Sequence, residues 1–184
     1  MRQMPVAPSP LQVGEYVVRK YEPADAEALV IAVTKSCEHL RPWMPWIKFE
    51  PQSVTQREEL IKTWNEAWVS RTEFVMGVFL DDRVVGGTGL HLRGRTNTVE
   101  IGYWVHVDYI NKGIATQVSH ALACEALTLW DDVDTVVIVH DEANIASGKV
   151  PARLGFEHVF TGQREPEASG ESGVMYRWEK KRAN

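Results

Sequence analysis

The loop Asn111-Lys112-Gly113-Ile114-Ala115-Thr116 concentrates groups able to hold an anion. It lies between a strand-like run ending near Val107 and a helix-like run, and the first N–H groups of a helix have no intrahelical partner. A terminus of this kind attracts phosphate. Gly113 and the small Ala115 let a ligand approach the main chain, and Lys112 adds positive charge at the mouth. A routine tight strand-to-helix turn would use the same residues, so the loop by itself leaves both readings open. The histidines at 39, 91, 106, 120, 140 and 158 are scattered without the spacing of a metal motif, so no metal is expected.

Elements must hold that loop in place. Residues 15–21 carry the β-branched and aromatic run Tyr16-Val17-Val18 and predict a first strand. Residues 24–39 have helical apolar spacing through Ala28 and Ile31 or Ala32 after Pro23. Ser53-Val54-Thr55-Gln56 matches a capping box, with Leu60, Trp64 and Trp68 continuing a helix to residue 70. The prolines of Leu40-Arg41-Pro42-Trp43-Met44-Pro45-Trp46 keep the connector irregular. Runs 74–80 and 83–92, joined by Asp81-Asp82, predict a hairpin, and Gly86, Gly87 and Gly89 suggest a bulge in its second strand.

A further strand spans 98–107, and a helix over 113–130 places Ile114, Val118, Leu122, Ala126 and Leu129 on one face. Thr135-Val136-Val137-Ile138-Val139 reads as a strand buried on both faces. A helix over 144–154 ends at Gly155, although Pro151 inside it cannot donate to the carbonyl of Ser147, so a kink or a later start is expected. Strands near 156–161 and 174–180 flank the polar loop 162–173. The order is β-α-α-β-β-β-α-β-α-β-β, a mixed sheet with helices on its faces.

The chain has 184 residues, 44% hydrophobic and 24% charged, and fits one globular domain. Residues 1–14 read as a flexible leader and 15–184 as the domain. There is no apolar run of membrane-spanning length and no secretory pattern, so neither a membrane nor export is expected. A formal charge of -5 without a basic stripe argues against nucleic-acid binding. Two cysteines, Cys37 and Cys124, sit in helix-like apolar contexts and read as reduced core thiols, which points to the cytoplasm.

Three blocks together carry a family resemblance. Glu100-Ile101-Gly102-Tyr103-Trp104-Val105 with the loop 111–116 resembles the acetyl-CoA motif of the GNAT N-acetyltransferase superfamily, most like its RimJ/RimL-type branch, which acetylates the N-termini of ribosomal proteins. Asn144, Ser147, Val150 and Leu154-Gly155-Phe156 resemble that branch's second cofactor motif, and His39-Leu40-Arg41-Pro42-Trp43-Met44-Pro45-Trp46 is similar to its acceptor-side segment. The implied fold is a single GNAT-like α/β domain whose mixed sheet is mostly antiparallel. Two positions depart from the family pattern: Ile110 stands where Gln or Arg is usual, and Asn111 replaces a common glycine.

The resemblance implies acetyl-CoA as donor and direct attack by a primary amine, that of a protein or peptide N-terminus. A small or antibiotic-like amine, or a non-catalytic acyl-CoA-binding module, remain the alternatives. Glu100 is the implied proton acceptor and Ser147 the donor to the departing thiolate; the same residues could instead be an ion-paired strand end and a helix-start serine bonding to the backbone. Val105 and Val107 would pair with the pantetheine arm through their main chain. Lys112, Gly113, Ile114, Ala115 and Thr116 would cradle the pyrophosphate, and Asn144 would bond pantetheine or simply cap its helix. Trp43, Met44 and Trp46 would wall the acceptor cleft or plug the sheet. A homodimer is possible.

Overall fold

The computed structural model describes residues 6–93 and 97–183. In chain order it contains β1 (Leu11–Val13), β2 (Tyr16–Lys20), α1 (Ala26–Leu40), α2 (Val54–Ser70), β3 (Glu73–Leu80), β4 (Arg83–His91) and β5 (Thr98–Val105). There follow α3 (Ile114–Leu129), β6 (Thr135–Asp141), α4 (Ile145–Arg153), β7 (Glu157–Gln163) and β8 (Val174–Lys181). The strands form one sheet ordered β1-β2-β3-β4-β5-β6-β8-β7, antiparallel throughout except between β5 and β6. The expected mixed, mostly antiparallel sheet is therefore formed.

Strand alternation divides the core in two. Phe74, Met76, Val99 and Ile101 pack beneath α3, while Tyr21, Phe79 and Val84 pack with α1 and α2 on the other face. The α2 capping box forms as expected: Ser53 Oγ accepts from Gln56 N at 3.2 Å, and Gln56 Oε1 accepts from Ser53 N at 2.8 Å. The hairpin between β3 and β4 also forms, and its register shifts so that Val85 is the extra residue, immediately before the glycines.

Several expectations are corrected. Leu11–Val13, assigned to a flexible leader, pairs with residues 16–18 of β2, and Ala7 and Val13 are buried in the core. A run of three residues is too short to show its period in the sequence. Residues 1–5 lie outside the described residues. Ile31 is 61% and Leu129 63% exposed, because α1 buries Leu29, Ala32 and Val33 and the apolar face of α3 ends at Ala126. Cys124 is exposed on the outer face of α3 and is not a core thiol, whereas Cys37 is half-buried against the α1 and α2 core.

Pro151 does not interrupt α4, which runs from Ile145 to Arg153 around it. The Ser147 carbonyl, deprived of a helical donor by the proline, accepts instead from Tyr103 Oη on β5 at 3.0 Å. The C-terminus closes in a Schellman arrangement, with Phe156 N donating to Pro151 O at 3.0 Å and Gly155 N to Ala152 O at 3.3 Å. Replacing Tyr103 by Phe leaves that carbonyl orphaned and should cost about 1–3 kcal/mol of stability. Pro151→Ala returns an N–H to the helix, so the same phenol removal should cost at least about 1 kcal/mol less in that background. Denaturant unfolding of the four proteins measures this, and equal costs in both backgrounds would contradict the exchange of amide for phenol.

Candidate active site

β5 and β6 stay together for only three residue pairs, Thr98 with Thr135, Val99 with Val136 and Glu100 with Val137. β6 then continues alongside β8 as far as Asp141 opposite Met175, while β5 continues alongside β4 to Val105 opposite Gly86. Beyond Glu100 the two parallel strands part. Tyr103 bridges the parting, its phenol 3.1 Å from Ser147 Oγ as well as bonded to the Ser147 carbonyl. Burial pushes the Tyr103 hydroxyl up to about 12, against a smaller lowering by Ser147, so it is a neutral donor across the physiological range.

At the end of β5 the chain turns into α3 through left-handed Asn111 (φ 59°) and Gly113 (φ 77°). The first intrahelical bond is Gln117 N to Gly113 O at 2.9 Å, which leaves the N–H groups of Ile114, Ala115 and Thr116 ahead of the helical ladder. No side chain caps this terminus, whereas Ser53 caps α2 and Asn144 caps α4. The space is open too: a Cβ at Gly113 would come no nearer than 3.6 Å to any atom beyond its chain neighbours, there Gln117 Nε2. Lys112 Nζ stands 4.7 Å above the Tyr109 ring, a cation–π contact that keeps its charge beside the loop.

Two expected roles change. The Val107 N–H donates to Ser36 Oγ on α1 at 3.1 Å, so pairing by that amide is withdrawn and Val107 keeps only its carbonyl for the main-chain role expected of it and Val105. Asn144 Oδ1 accepts from Ser147 N at 3.1 Å as the α4 cap, which leaves its amide nitrogen as the group able to meet a ligand.

On the α1 and α2 face of the sheet lies a cavity of about 570 Å³. Met44 and Trp46 line it, with Trp64 from α2 and Trp104 from β5. Trp46 and Trp104 meet edge to face at 6.2 Å. The connector is irregular as expected from Arg41 to Met44, and the part carrying Trp46 is a 3-10 helix, Pro45–Phe49. The buried ion pair of Glu50 and Arg57, 2.5 Å apart, ties the end of this connector to α2. Trp43 is outside the lining residues, half-buried beside Pro42, whose carbonyl accepts from Gly170 N at 2.9 Å. The last loop thus packs onto the connector. Asp141 fixes that loop by accepting from Ser172 N, Ser172 Oγ and Gly173 N at 2.9–3.0 Å.

Glu100 is ion-paired with Arg93 Nε at 3.1 Å. Its register partner on β4 is His91, and His91 in turn opposes Glu73 on β3. Glu73 and His91 were missed by sequence reasoning because nothing in their spacing joins them; the glycine-rich β4 was the one available sign of close packing there. Among the described residues no group of three or more His, Cys, Asp or Glu side chains is placed to hold a metal ion. No helix among them is long and apolar enough to cross a membrane.

The chain as a whole is similar to known proteins. The family model described as an acetyltransferase (GNAT) domain matches residues 16–157. The Bacillus subtilis (strain 168) protein named "Putative ribosomal N-acetyltransferase YdaF" is 29% identical over 147 residues, 79% of this chain and 80% of that protein. The microcin C7 self-immunity acetyltransferase MccE, solved with acetyl-CoA and AMP, aligns at TM-score 0.85 and 18% identity over 96% of this chain and 98% of its own. RimJ of Mycobacterium smegmatis, solved with a CoA-disulfide, aligns at TM-score 0.81 and 21% identity over 94% and 86%. At such identities the two structures speak for the fold, and the family match covers most of the domain. The chain belongs to the GNAT acetyltransferase family.

Proposed function

We propose that this chain transfers the acetyl group of acetyl-CoA directly onto a primary amine at the N-terminus of a protein or peptide, in the cytoplasm. The observation that carries the reading is the placement of two sites on one strand. β5 leads into the uncapped N-terminus of α3, and its residues Gly102 and Trp104 line the aromatic cavity. The name of the B. subtilis relative, a ribosomal N-acetyltransferase, supports a protein acceptor.

The residues present fit the donor. The free N–H groups of Ile114, Ala115 and Thr116, with Lys112 at the side, would hold its pyrophosphate. Val105 and the Asn144 amide would meet its pantetheine arm. When bound, acetyl-CoA supplies an electrophilic thioester carbonyl. Ser147 Oγ would give its proton to the departing sulfur, while Tyr103, its own proton committed to the Ser147 carbonyl, would hold the serine in place. Glu100, steadied by Arg93, would be the carboxylate that finally receives the proton lost by the amine. Met44 and Trp46 would clamp the residue bearing the amine.

Thiol release from acetyl-CoA in the presence of a panel of peptides and small amines tests the reading. Release is expected with a free peptide N-terminus and not with its blocked form. A response confined to small amines would move the acceptor assignment, and binding without release for every amine would sink the enzyme reading. Gly113→Asp puts a side chain on a left-handed backbone and a negative charge against the pyrophosphate. It should raise the calorimetric Kd for CoA about tenfold or more; an unchanged Kd would refute the cradle. Glu100→Gln should lower turnover about 10²-fold with little change in acetyl-CoA affinity. Unchanged turnover across a pH range of about 6 to 9 would remove Glu100 from the proton path.

A further inference from the structure

Three neighbouring strands place Glu73, His91 and Glu100 side by side, His91 in the middle. The Glu73 carboxylate is hydrogen-bonded to Nδ1 of His91. This bond, outweighing partial burial, holds the Glu73 carboxyl below the usual carboxylate range, so it is an acceptor and Nδ1 carries the proton. In the neutral ring the lone pair is then on Nε2. That atom lies over two glycines: a Cβ at Gly89 would be 2.7 Å from it and a Cβ at Gly102 would be 3.5 Å away. Only a glycine at 89 lets the imidazole lie down across β4 toward the middle of β5. His91, Gly89 and Gly102 all line the aromatic cavity, together with Glu73 and Arg93, and the His91 side chain is 16% exposed.

A cross-strand ion pair that serves stability alone has no need of a glycine floor, nor of a free imidazole nitrogen over a cavity. We propose that His91 Nε2 is the atom that takes the proton from the acceptor amine, with Glu73 as the residue that positions it. The inference rests on the acetyl-transfer reading above and deepens it. In this step an N–H bond of the ammonium form breaks and its electron pair stays on the amine nitrogen, which becomes the nucleophile. The proton forms a new bond to Nε2, and the resulting imidazolium is stabilised by the Glu73 carboxylate at Nδ1. Glu100, in register with His91, receives the proton afterwards and resets the ring. The acceptor is thus an amine whose stem can lie against the indole wall of Trp46 and Trp104 and still reach the sheet.

The test compares wild type with His91→Ala, His91→Gln and Glu73→Gln on a peptide substrate. It measures kcat, KM, acetyl-CoA affinity by calorimetry, and rescue by added imidazole. His91→Ala should lower kcat about 10²-fold with acetyl-CoA affinity unchanged, and imidazole should restore turnover in a saturable way. Glu73→Gln should lower kcat about tenfold and resist imidazole, because the ring is present but misaligned. His91→Gln keeps the bulk and a hydrogen bond without the base, and should be as slow as His91→Ala. Turnover within about twofold of wild type in either His91 variant overturns the proposal. So does a loss in His91→Ala that imidazole leaves untouched, since that marks a structural role. A wild-type protein that binds acetyl-CoA but releases no thiol with any amine fails at the level of acetyl transfer, and the histidine step falls with it.

Discussion

Everything at this site depends on β5 and β6 being paired for so short a distance. Parallel strands normally satisfy one another along their length, and these cease to do so after Glu100 and Val137. The edge of β5 from Ile101 onward is thereby opened toward α4. The parting has to be held by something other than a ladder, and Tyr103 does this with one hydroxyl bonded to Ser147. The proline that frees the Ser147 carbonyl and the phenol that fills the vacancy are complementary halves of one contact. The same contact brings the serine hydroxyl to the edge of the opening.

The two faces of β5 are put to different uses. The core face carries Val99 and Ile101, buried beneath α3, which fixes where that helix begins and where its free N–H groups stand. The other face carries Glu100, Gly102 and Trp104, aligned with the glycines and His91 of β4. Small residues on this face keep the sheet floor low, and the indoles of Trp46 and Trp104 build the wall above it. The buried ion pair of Glu50 and Arg57 and the junction of Gly170 with Pro42 tie down the connector that carries Trp46. The cavity is therefore framed by contacts far apart in the chain.

What the sequence made legible follows physical range. The Ser53 capping box, the hairpin at Asp81-Asp82, the uncapped loop at Gly113 and the left-handed Gly155 are settled by residues within a few positions of one another, and each was readable. Strand β1 was not, because three residues carry too little periodicity and its partner is what orders it. Exposure of Cys124, Ile31 and Leu129 depended on how each helix is rotated onto the sheet, which spacing alone leaves open by about one residue in three or four. The commitment of the Val107 amide to Ser36 and the pairing of Glu73 with His91 arise from register and packing between distant segments. Ser147 and Tyr103 were both visible within motifs, yet their contact through Pro151 was visible only in space.

A strand with an uncapped helix terminus at its end and an aromatic cavity on its face is suited to hold donor and acceptor together, with nothing covalently stored on the protein between them. Initial-velocity kinetics with acetyl-CoA and a peptide amine varied against each other test this most directly. Direct transfer predicts double-reciprocal lines that intersect, because both must be bound before thiol is released. Parallel lines, with thiol released before the amine is added, would reveal a stored acyl group and contradict the account.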